Sequence, residues 1–421
     1  MTAPDHTRRA LCAGALALGL GACMGGGIAG PATRRRPEDP QMRPVANPAF
    51  DAWLAEFRPR ARARGITDAT LSRGLADAGF LPGVIERDRT QAEFARTLEE
   101  YLALVANDTR ISEGRAALSR HRALLDRIDA RFGVEPEVVT AIWGVESRYG
   151  QRRGDIPVIS ATATLAFDGR RGRLFENQLI AALRILQDGD TTPDRLVGSW
   201  AGAMGHTQFI PTTYADYAVD FTGDGRRDIW ADDPTDALAS AAAYLSRMGW
   251  RRGQPWGVEA GLPQGFDMGL AGRGTSRSAA QWGALGVTRA GGGALPDHGA
   301  ASVIAPMGAD APVFVTFANY GVIARYNNAQ NYIIAVGHLA DRLAGGGPLR
   351  ASFPPDRHGL TQDDRLEIQR RLTAAGFDTD GVDGVFGPNT EAAIRDFQRA
   401  RGLEPTGTPS RALLERLRGS A

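Results

Sequence analysis

Lysine is missing altogether: every one of the 49 basic residues is an arginine. The arginines are spread along the chain, so we read this as coding bias rather than chemistry. Cysteine is almost absent as well. Cys12 and Cys23 both lie near the N-terminus, which excludes a disulfide framework for the rest of the chain. Neither sign of charge is in excess. The net charge of +1 gives no bulk attraction for nucleic acid or another polyanion. Beyond the N-terminus no apolar run is long enough to span a bilayer, and no repeat of 20–50 residues marks a solenoid or propeller. The six histidines show no H-E-x-x-H or other paired metal spacing. There is no Walker loop, no G-x-G-x-x-G after a strand and no nucleophile motif of a serine or cysteine triad. What remains is ordinary globular composition, 43% hydrophobic and 23% charged. A length of 421 residues allows one large domain and a smaller one.

The N-terminal "HTRRALCAGALALGLGAC" has two arginines, an apolar run too short for a permanent span, and small residues ending at Cys23. It reads as a secretion signal. Leu20-Gly21-Ala22-Cys23 resembles the lipobox of bacterial lipoproteins. The resemblance implies cleavage before Cys23 and lipidation of that cysteine, which would be the mature chain's one cysteine. Met24 rather than Asp follows it, which in a Gram-negative cell favours the outer membrane over the inner. Arg8-Arg9 leaves the twin-arginine export route open, although the rest of that motif is poor.

Five segments follow from composition and periodicity: a signal peptide over 1–22, a flexible Gly/Pro/Arg-rich tether over 23–47, a large domain over 48–345, a linker over 346–357 and a small domain over 358–419. Helical spacing dominates from Phe50 to about Leu343 in segments such as "ALSRHRALLDRIDARFG" and "LFENQLIAALRILQDG". Residues 251–312 are dense in Gly and Pro, where we expect loops and short strands, followed by a β-like "PVFVTFAN". The fold class is mainly α (α+β), with a small β-containing insertion and a small helical C-terminal domain.

"AIWGVESRYG" places a glutamate where a helix should be apolar. Pro136 suits the first turn of that helix and Gly150 its stop. Counting back from Glu146 by three, four, seven and eight gives Trp143, Ile142, Val139 and Val138, one apolar face. Three and four residues ahead stand Tyr149 and Gly150, so no helical ion pair is encoded there. A carboxyl on such a face loses hydration when charged, which raises its pKa and suits it to general acid work. A core-edge glutamate paired with a distant arginine is the bland alternative. Downstream, "GSWAGAMGHTQFIPTTYADY" crowds small residues before an amide, two aromatics and a proline. Small residues let a backbone approach a ligand, Ser199 and Gln208 offer hydrogen bonds, and Phe209 and Tyr214 offer flat surfaces. Helix packing alone would also account for a Gly-Ala run.

Taken in order, "GVESRYG", "AGAMGHTQFIPTTY" and "FANYGVIARYNNAQNY" resemble the membrane-bound lytic transglycosylase B family, glycoside hydrolase family 103, over residues 48 to 343. The resemblance implies a lysozyme-like helical fold and cleavage of the β-1,4 bond between N-acetylmuramic acid and N-acetylglucosamine in peptidoglycan. It assigns Glu146 the role of acid and then base, with a 1,6-anhydro product and no cofactor for the chemistry. It places Ser199 and Gln208 near the cleavage site and Phe209 beside the sugar. Arg170 and Arg171 would line the groove and meet the lactyl carboxylate or the peptide stem. Tyr101, Tyr244, Tyr326 and Tyr332 match groove aromatics, with packed core tyrosines as the alternative for each. His206 and Thr207, at a variable spot just before the glutamine, are assigned no role. A muramidase that hydrolyses the same bond with water, or a non-catalytic wall-binding lipoprotein, would fit many of the same residues.

"DFTGDGRRDIWAD" sets Asp220, Thr222, Asp224, Gly225, Arg226 and Asp228 at positions 1, 3, 5, 6, 7 and 9 of an EF-hand-like loop. Ala231 stands where a closing glutamate would be. Asp236 is the best match for the later aspartate that closes such a loop in family members, with Asp232 and Asp233 as alternatives. The loop reads either as a weak structural calcium site or as a metal-free Asp-Gly turn. In the tail, Leu366, Ile368, Leu372 and Phe377 make one apolar helix face and its exit, and Ile394 and Phe397 another. Three tight turns lie between them. "DGVFGPNTEAAIRDFQ" resembles the type 1 peptidoglycan-binding domain, a three-helix module. Expected partners are therefore peptidoglycan strands and, through Cys23, a membrane. A monomer without nucleic acid is expected, and wall-synthesis partners are not legible.

Overall fold

The computed structural model describes residues 39–90 and 96–419. The leader, Cys23 and the tether up to residue 38 lie outside the described residues. Among the described residues no helix is long and apolar enough to cross a membrane. The chain divides into two compact units. Among the described residues, one comprises 39–90, 112–253 and 322–329; the other comprises 96–111, 254–321 and 330–419.

The first unit is helical. Its first long helix, Pro48–Ala63, starts where Asn47 accepts from the amides of Ala49 and Phe50 and Pro48 fills the first turn. The end of the tether is not free chain. Met42, on a short 3-10 turn, is 1% exposed and joins a core of Leu81, Val84, Ile156, Leu165, Phe175 and Trp200. Val45 bridges to Phe80, and Asp39 pairs with Arg87 at 2.7 Å. The helices Val158–Asp168 and Gly172–Asp188 pack together, each ended by a left-handed glycine, Gly169 or Gly189. A two-residue antiparallel pair, Ile156–Pro157 with Val197–Gly198, delivers the chain into the small-residue loop.

In the second unit the Gly/Pro-rich region folds as expected into short strands. Thr288–Arg289, Gly257–Gly261, Val313–Thr316 and Ser302–Ile304 form an antiparallel sheet in that order. Trp282, Val287, Val303 and Val315 pack into its core. The tail has its three helices, Gln362–Ala374, Pro388–Ala400 and Arg411–Arg418, around Ile368, Leu372, Ile394, Phe397 and Leu414. A Thr361–Asp364 capping box opens the first of them. One face differs from expectation: Leu366 is half-buried, while its neighbour Arg365 is 3% exposed. The Arg365 guanidinium bonds to Glu99 at 2.5 Å, to Asp356 at 3.3 Å and to the carbonyls of Leu360 and Gly384. The Glu259 carboxylate, on the strand Gly257–Gly261, accepts from the linker amides of Arg350 and Ala351 at 2.8–3.0 Å.

Candidate active site

The helix Pro136–Ser147 begins at its proline as expected but stops three residues before Gly150. Arg148 adopts a left-handed conformation at φ 51°, followed by Tyr149 at 54° and Gly150 at 86°. Two consecutive non-glycine residues in that region are costly, and such strain concentrates at functional sites. Local bonds sustain it. The Tyr149 amide reaches back to the Trp143 carbonyl, and Arg148 makes a two-pronged ion pair with Glu113 at 2.8 and 3.2 Å. Gly144 is required because any Cβ there would stand 2.6 Å from the Tyr149 ring.

The helix is not amphipathic in the sense expected. From Val138 to Ser147 every residue is buried except Glu146, which is half-buried. Trp143 is 3% exposed and Ile142 and Val139 are wholly buried, so the carboxyl emerges from an apolar wall. The loop that follows in sequence repeats the pattern. From Gly198 to Phe209 only Ser199 and Gln208 are partly exposed.

That loop is a folded ribbon, with bridges between Gly198 and Met204 and between Met204 and Phe209. Its small residues admit backbone rather than ligand. A Cβ on Gly198 would lie 2.1 Å from the Ala203 carbonyl oxygen, and one on Gly205 would lie 2.2 Å from that of Ile229. Ser199 Oγ accepts from the Ala203 amide at 3.0 Å. Gln208, at φ 51°, donates through its side-chain amide to the carbonyls of Arg153 at 3.0 Å and Gly205 at 2.9 Å. Its carbonyl Oε1 is the end left to accept from a ligand.

Three of the expected aromatics gather beside this loop. Phe209, Tyr244 and Tyr326 have ring centroids 5.2–6.1 Å apart. Phe209 is 2% exposed, its ring centroid 5.9 Å from that of Tyr326. Tyr244 is 8% exposed, and its hydroxyl donates to the Arg325 carbonyl. Tyr326 is half-buried and donates to the Thr207 carbonyl at 2.5 Å. Burial raises the Tyr326 phenol well above its usual pKa, and the next largest cause is the negative charge of Glu146. The Glu146 charge is thus within electrostatic reach of the phenol whose hydroxyl holds the residue preceding Gln208. Tyr101 and Tyr332 fall in the second unit, 6% and 2% exposed, on the packed helices Leu98–Val105 and Gln330–Leu343. Tyr214 is wholly buried, its hydroxyl on the Arg227 carbonyl at 2.7 Å.

The arginine pair has a partner within the fold, while its side chains stay 50% and 32% exposed. Arg170 binds the Asp88 carboxylate and carbonyl at 2.7 and 2.8 Å, and Arg171 binds the other oxygen of Asp88. Asp88 is 3% exposed. The guanidiniums thus neutralise a buried acid before they meet any ligand.

In the acidic loop, Asp220 accepts from the amides of Gly223 and Gly225, Asp224 from Arg226, and Asp228 from Trp230 and Ala231. Asp236 closes the loop. Its Oδ1 accepts from Phe221 and Thr222 and its Oδ2 from Asp228, at 2.8–3.0 Å. Burial raises the pKa of Asp236 against the pull of those three amides. The alternatives are occupied elsewhere: Asp232 pairs with Arg153 at 2.6 Å, and Asp233 caps Thr235. Among the described residues no three acidic, histidine or cysteine side chains converge as a metal-holding group.

Sequence reasoning passed over His206. It is 3% exposed and touches both flanks of Glu146. Trp143 Nε1 donates to its Nδ1 at 3.1 Å, and Ser147 Oγ donates to its carbonyl at 2.6 Å. Burial lowers its pKa to about 4, only partly offset by its bond to the Ala231 carbonyl. No local pattern announces a histidine whose partners lie 59 and 63 residues away.

Comparison with known proteins bears on this geometry. The family model of the transglycosylase SLT domain matches residues 49–341, and that of a putative peptidoglycan binding domain matches 361–417. Membrane-bound lytic murein transglycosylase B of Escherichia coli K12 is 35% identical over 241 residues, 56% of this chain and 64% of that protein. The match thus spans less than two thirds of that relative. SltB3 of Pseudomonas aeruginosa, solved with NAG-NAM-pentapeptide, is 45% identical with a TM-score of 0.72 over 88% of this chain and 100% of that one. Escherichia coli Slt35, solved with calcium, is 30% identical with a TM-score of 0.60 over 71% and 93%.

Proposed function

We infer that this chain, which belongs to the SLT transglycosylase family, is a lytic transglycosylase of the bacterial cell wall that cleaves between N-acetylmuramic acid and N-acetylglucosamine. One observation carries the residue assignment. In two otherwise buried stretches, the accessible residues are Glu146, Ser199 and Gln208. Glu146 protonates the glycosidic oxygen as the bond from the anomeric carbon to that oxygen breaks. It then takes the proton of the muramic 6-hydroxyl as that oxygen bonds to the same carbon. Atoms balance without water, and the product ends in a 1,6-anhydro ring. Ser199 and the Oε1 of Gln208 offer hydrogen bonds to the sugar, and Tyr326 a flat flank.

Digestion of purified peptidoglycan by wild type and Glu146→Gln, with products identified by mass, tests this. Anhydro-muropeptides from wild type and none from Glu146→Gln are expected. Reducing muramic ends would make the protein a muramidase, and full activity in Glu146→Gln would remove the assigned role.

The relatives' wall substrate and the secretion signal support a periplasmic site of action. We place the mature chain there on a lipid at Cys23, facing the wall from the outer membrane. The mass of the mature N-terminal peptide checks the acylation. The tail module would hold the enzyme on its polymer. For the acidic loop, an all-oxygen donor set on a glycine-turned loop fits a hard cation. Asp220, Thr222, Asp224, the Arg226 carbonyl, Asp228 and Asp236 would hold calcium, which would stiffen the loop and supply no chemistry. A melting temperature that rises with calcium and falls with a chelator is the expected outcome; an unchanged one leaves a metal-free turn.

A further inference from the structure

The geometry points to His206 as a positioning residue that fixes the Glu146 carboxyl by clamping the helix on both sides of it, an inference that rests on the role proposed for Glu146. An indole nitrogen only donates. The 3.1 Å contact from Trp143 therefore requires an unprotonated Nδ1 on His206. The proton then sits on Nε2, 2.7 Å from the Ala231 carbonyl oxygen, which accepts it. The opposite tautomer would set two donors against each other at Trp143 and two acceptors at Ala231. Arg153 Nη1 lies 3.3 Å from Nε2 and donates to the same Ala231 carbonyl at 2.8 Å.

The ring is therefore a strut of fixed orientation between the catalytic helix and the segment around Ala231. The backbone repeats the link. The His206 amide donates to the Ile229 carbonyl at 3.2 Å, and its own carbonyl accepts from Ser147. Trp143 lies three residues before Glu146 and Ser147 one after, so the two clamps bracket the acid. A Cβ on Gly150 would stand 2.6 Å from the ring, so the turn leaving the helix is shaped around the imidazole. The helix end is strained through Arg148 and Tyr149. Loosening the clamp lets that strain shift the helix end and with it the carboxyl, and a small misplacement of an acid is costly to the rate.

Two replacements separate this role from bulk packing. Asparagine at 206 can place its oxygen near Nδ1 and keep the bond from Trp143. Glutamine can place its amide near Nε2 and keep the bond to Ala231 while losing the acceptor for Trp143. Full-length His206→Asn, His206→Gln, Trp143→Phe and the double variant His206→Gln/Trp143→Phe would be assayed on soluble peptide-bearing glycan strands, with melting temperatures in parallel. His206→Gln is expected to lose kcat on the order of tenfold to a hundredfold with KM little changed. His206→Asn should stay closer to wild type. The double variant should be no worse than His206→Gln alone, because both changes cut one bond. Equal kcat losses in the Asn and Gln variants, tracking their melting temperatures, would overturn the proposal, and so would wild-type kcat in His206→Gln. If Glu146→Gln proved active, the reading beneath the proposal would fail whatever the His206 variants did.

Discussion

Gly205 shows how a residue chosen for one reason can be kept for another. Small residues before Gln208 suggest a backbone that lets a sugar approach. In the structure they let the loop lie against other backbone, and Gly205 combines φ +68° with a Cβ position 2.2 Å from the Ile229 carbonyl oxygen. Alanine there would incur about 1–2 kcal/mol for the left-handed backbone alone, before the clash is counted. We expect Gly205→Ala to melt several degrees lower and to lose activity with it, because His206 and Gln208 are set by the same loop. Thermal melting with an activity assay checks this; a variant melting like wild type would mean the loop yields cheaply. Glu146, Ser199 and Gln208 stand out in the sequence as polar residues among apolar or small neighbours, and in the structure these three are the partly exposed ones in their stretches. His206 could not, since a lone histidine carries no information about which nitrogen is bonded or to what. Phe209 and the Arg170–Arg171 pair were legible as residue types but not as contacts. Their partners, Tyr326 and Asp88, are brought to them by the fold and not by spacing.

The elements were more readable than the contacts between them. Helix starts carry their own signals in Asn47-Pro48, in the capping boxes of Thr97 and Thr361, and at Pro136 and Pro388. The stop of the Pro136–Ser147 helix was misread because glycine is the ordinary left-handed residue. Here Arg148 takes that conformation, held by Glu113. A link between elements of the second unit escaped sequence reading entirely. Glu99, on the helix Leu98–Val105, and Arg365, on the first tail helix, are 266 positions apart, and their side chains are 7% and 4% exposed. Burial raises the Glu99 pKa despite the guanidinium beside it. Removing one partner of such a pair leaves a buried charge and costs about 3–5 kcal/mol, whereas replacing both by apolar groups can be near neutral. Arg365→Met should therefore destabilise the docking of tail helix to Leu98–Val105 strongly, and Glu99→Leu/Arg365→Met should recover much of it. Calorimetry of the full chain, with proteolysis at the 346–357 linker as a second readout, checks the pair. Additive losses in the double variant would show that packing, and not the ion pair, joins the two elements.

Over the whole molecule, each unit carries a buried imidazole that responds to pH. His206 in the first unit and His338 in the second are 3% and 7% exposed, and burial is the largest cause lowering each from 6.5 to about 4. The positive charge of Arg342 adds to the effect at His338. For a base whose folded pKa lies below its unfolded value, the unfolded chain takes up the proton first. The stability each neutral ring contributes is thus whole above about pH 6.5 and is lost as pH falls toward 4. A difference of that size amounts to an upper bound of about 3–4 kcal/mol per histidine. The melting temperature should hold steady from pH 8 to 7 and then decline through pH 6 and 5, before carboxylate protonation becomes general. His338→Leu keeps the site apolar and removes one titrating group, so its decline should be shallower over the same window while its stability at pH 7 changes less. Parallel melts of the two proteins from pH 8 to 4 measure the difference. Curves of equal slope would mean that His338 is protonated at no greater cost in the folded chain than in the unfolded one.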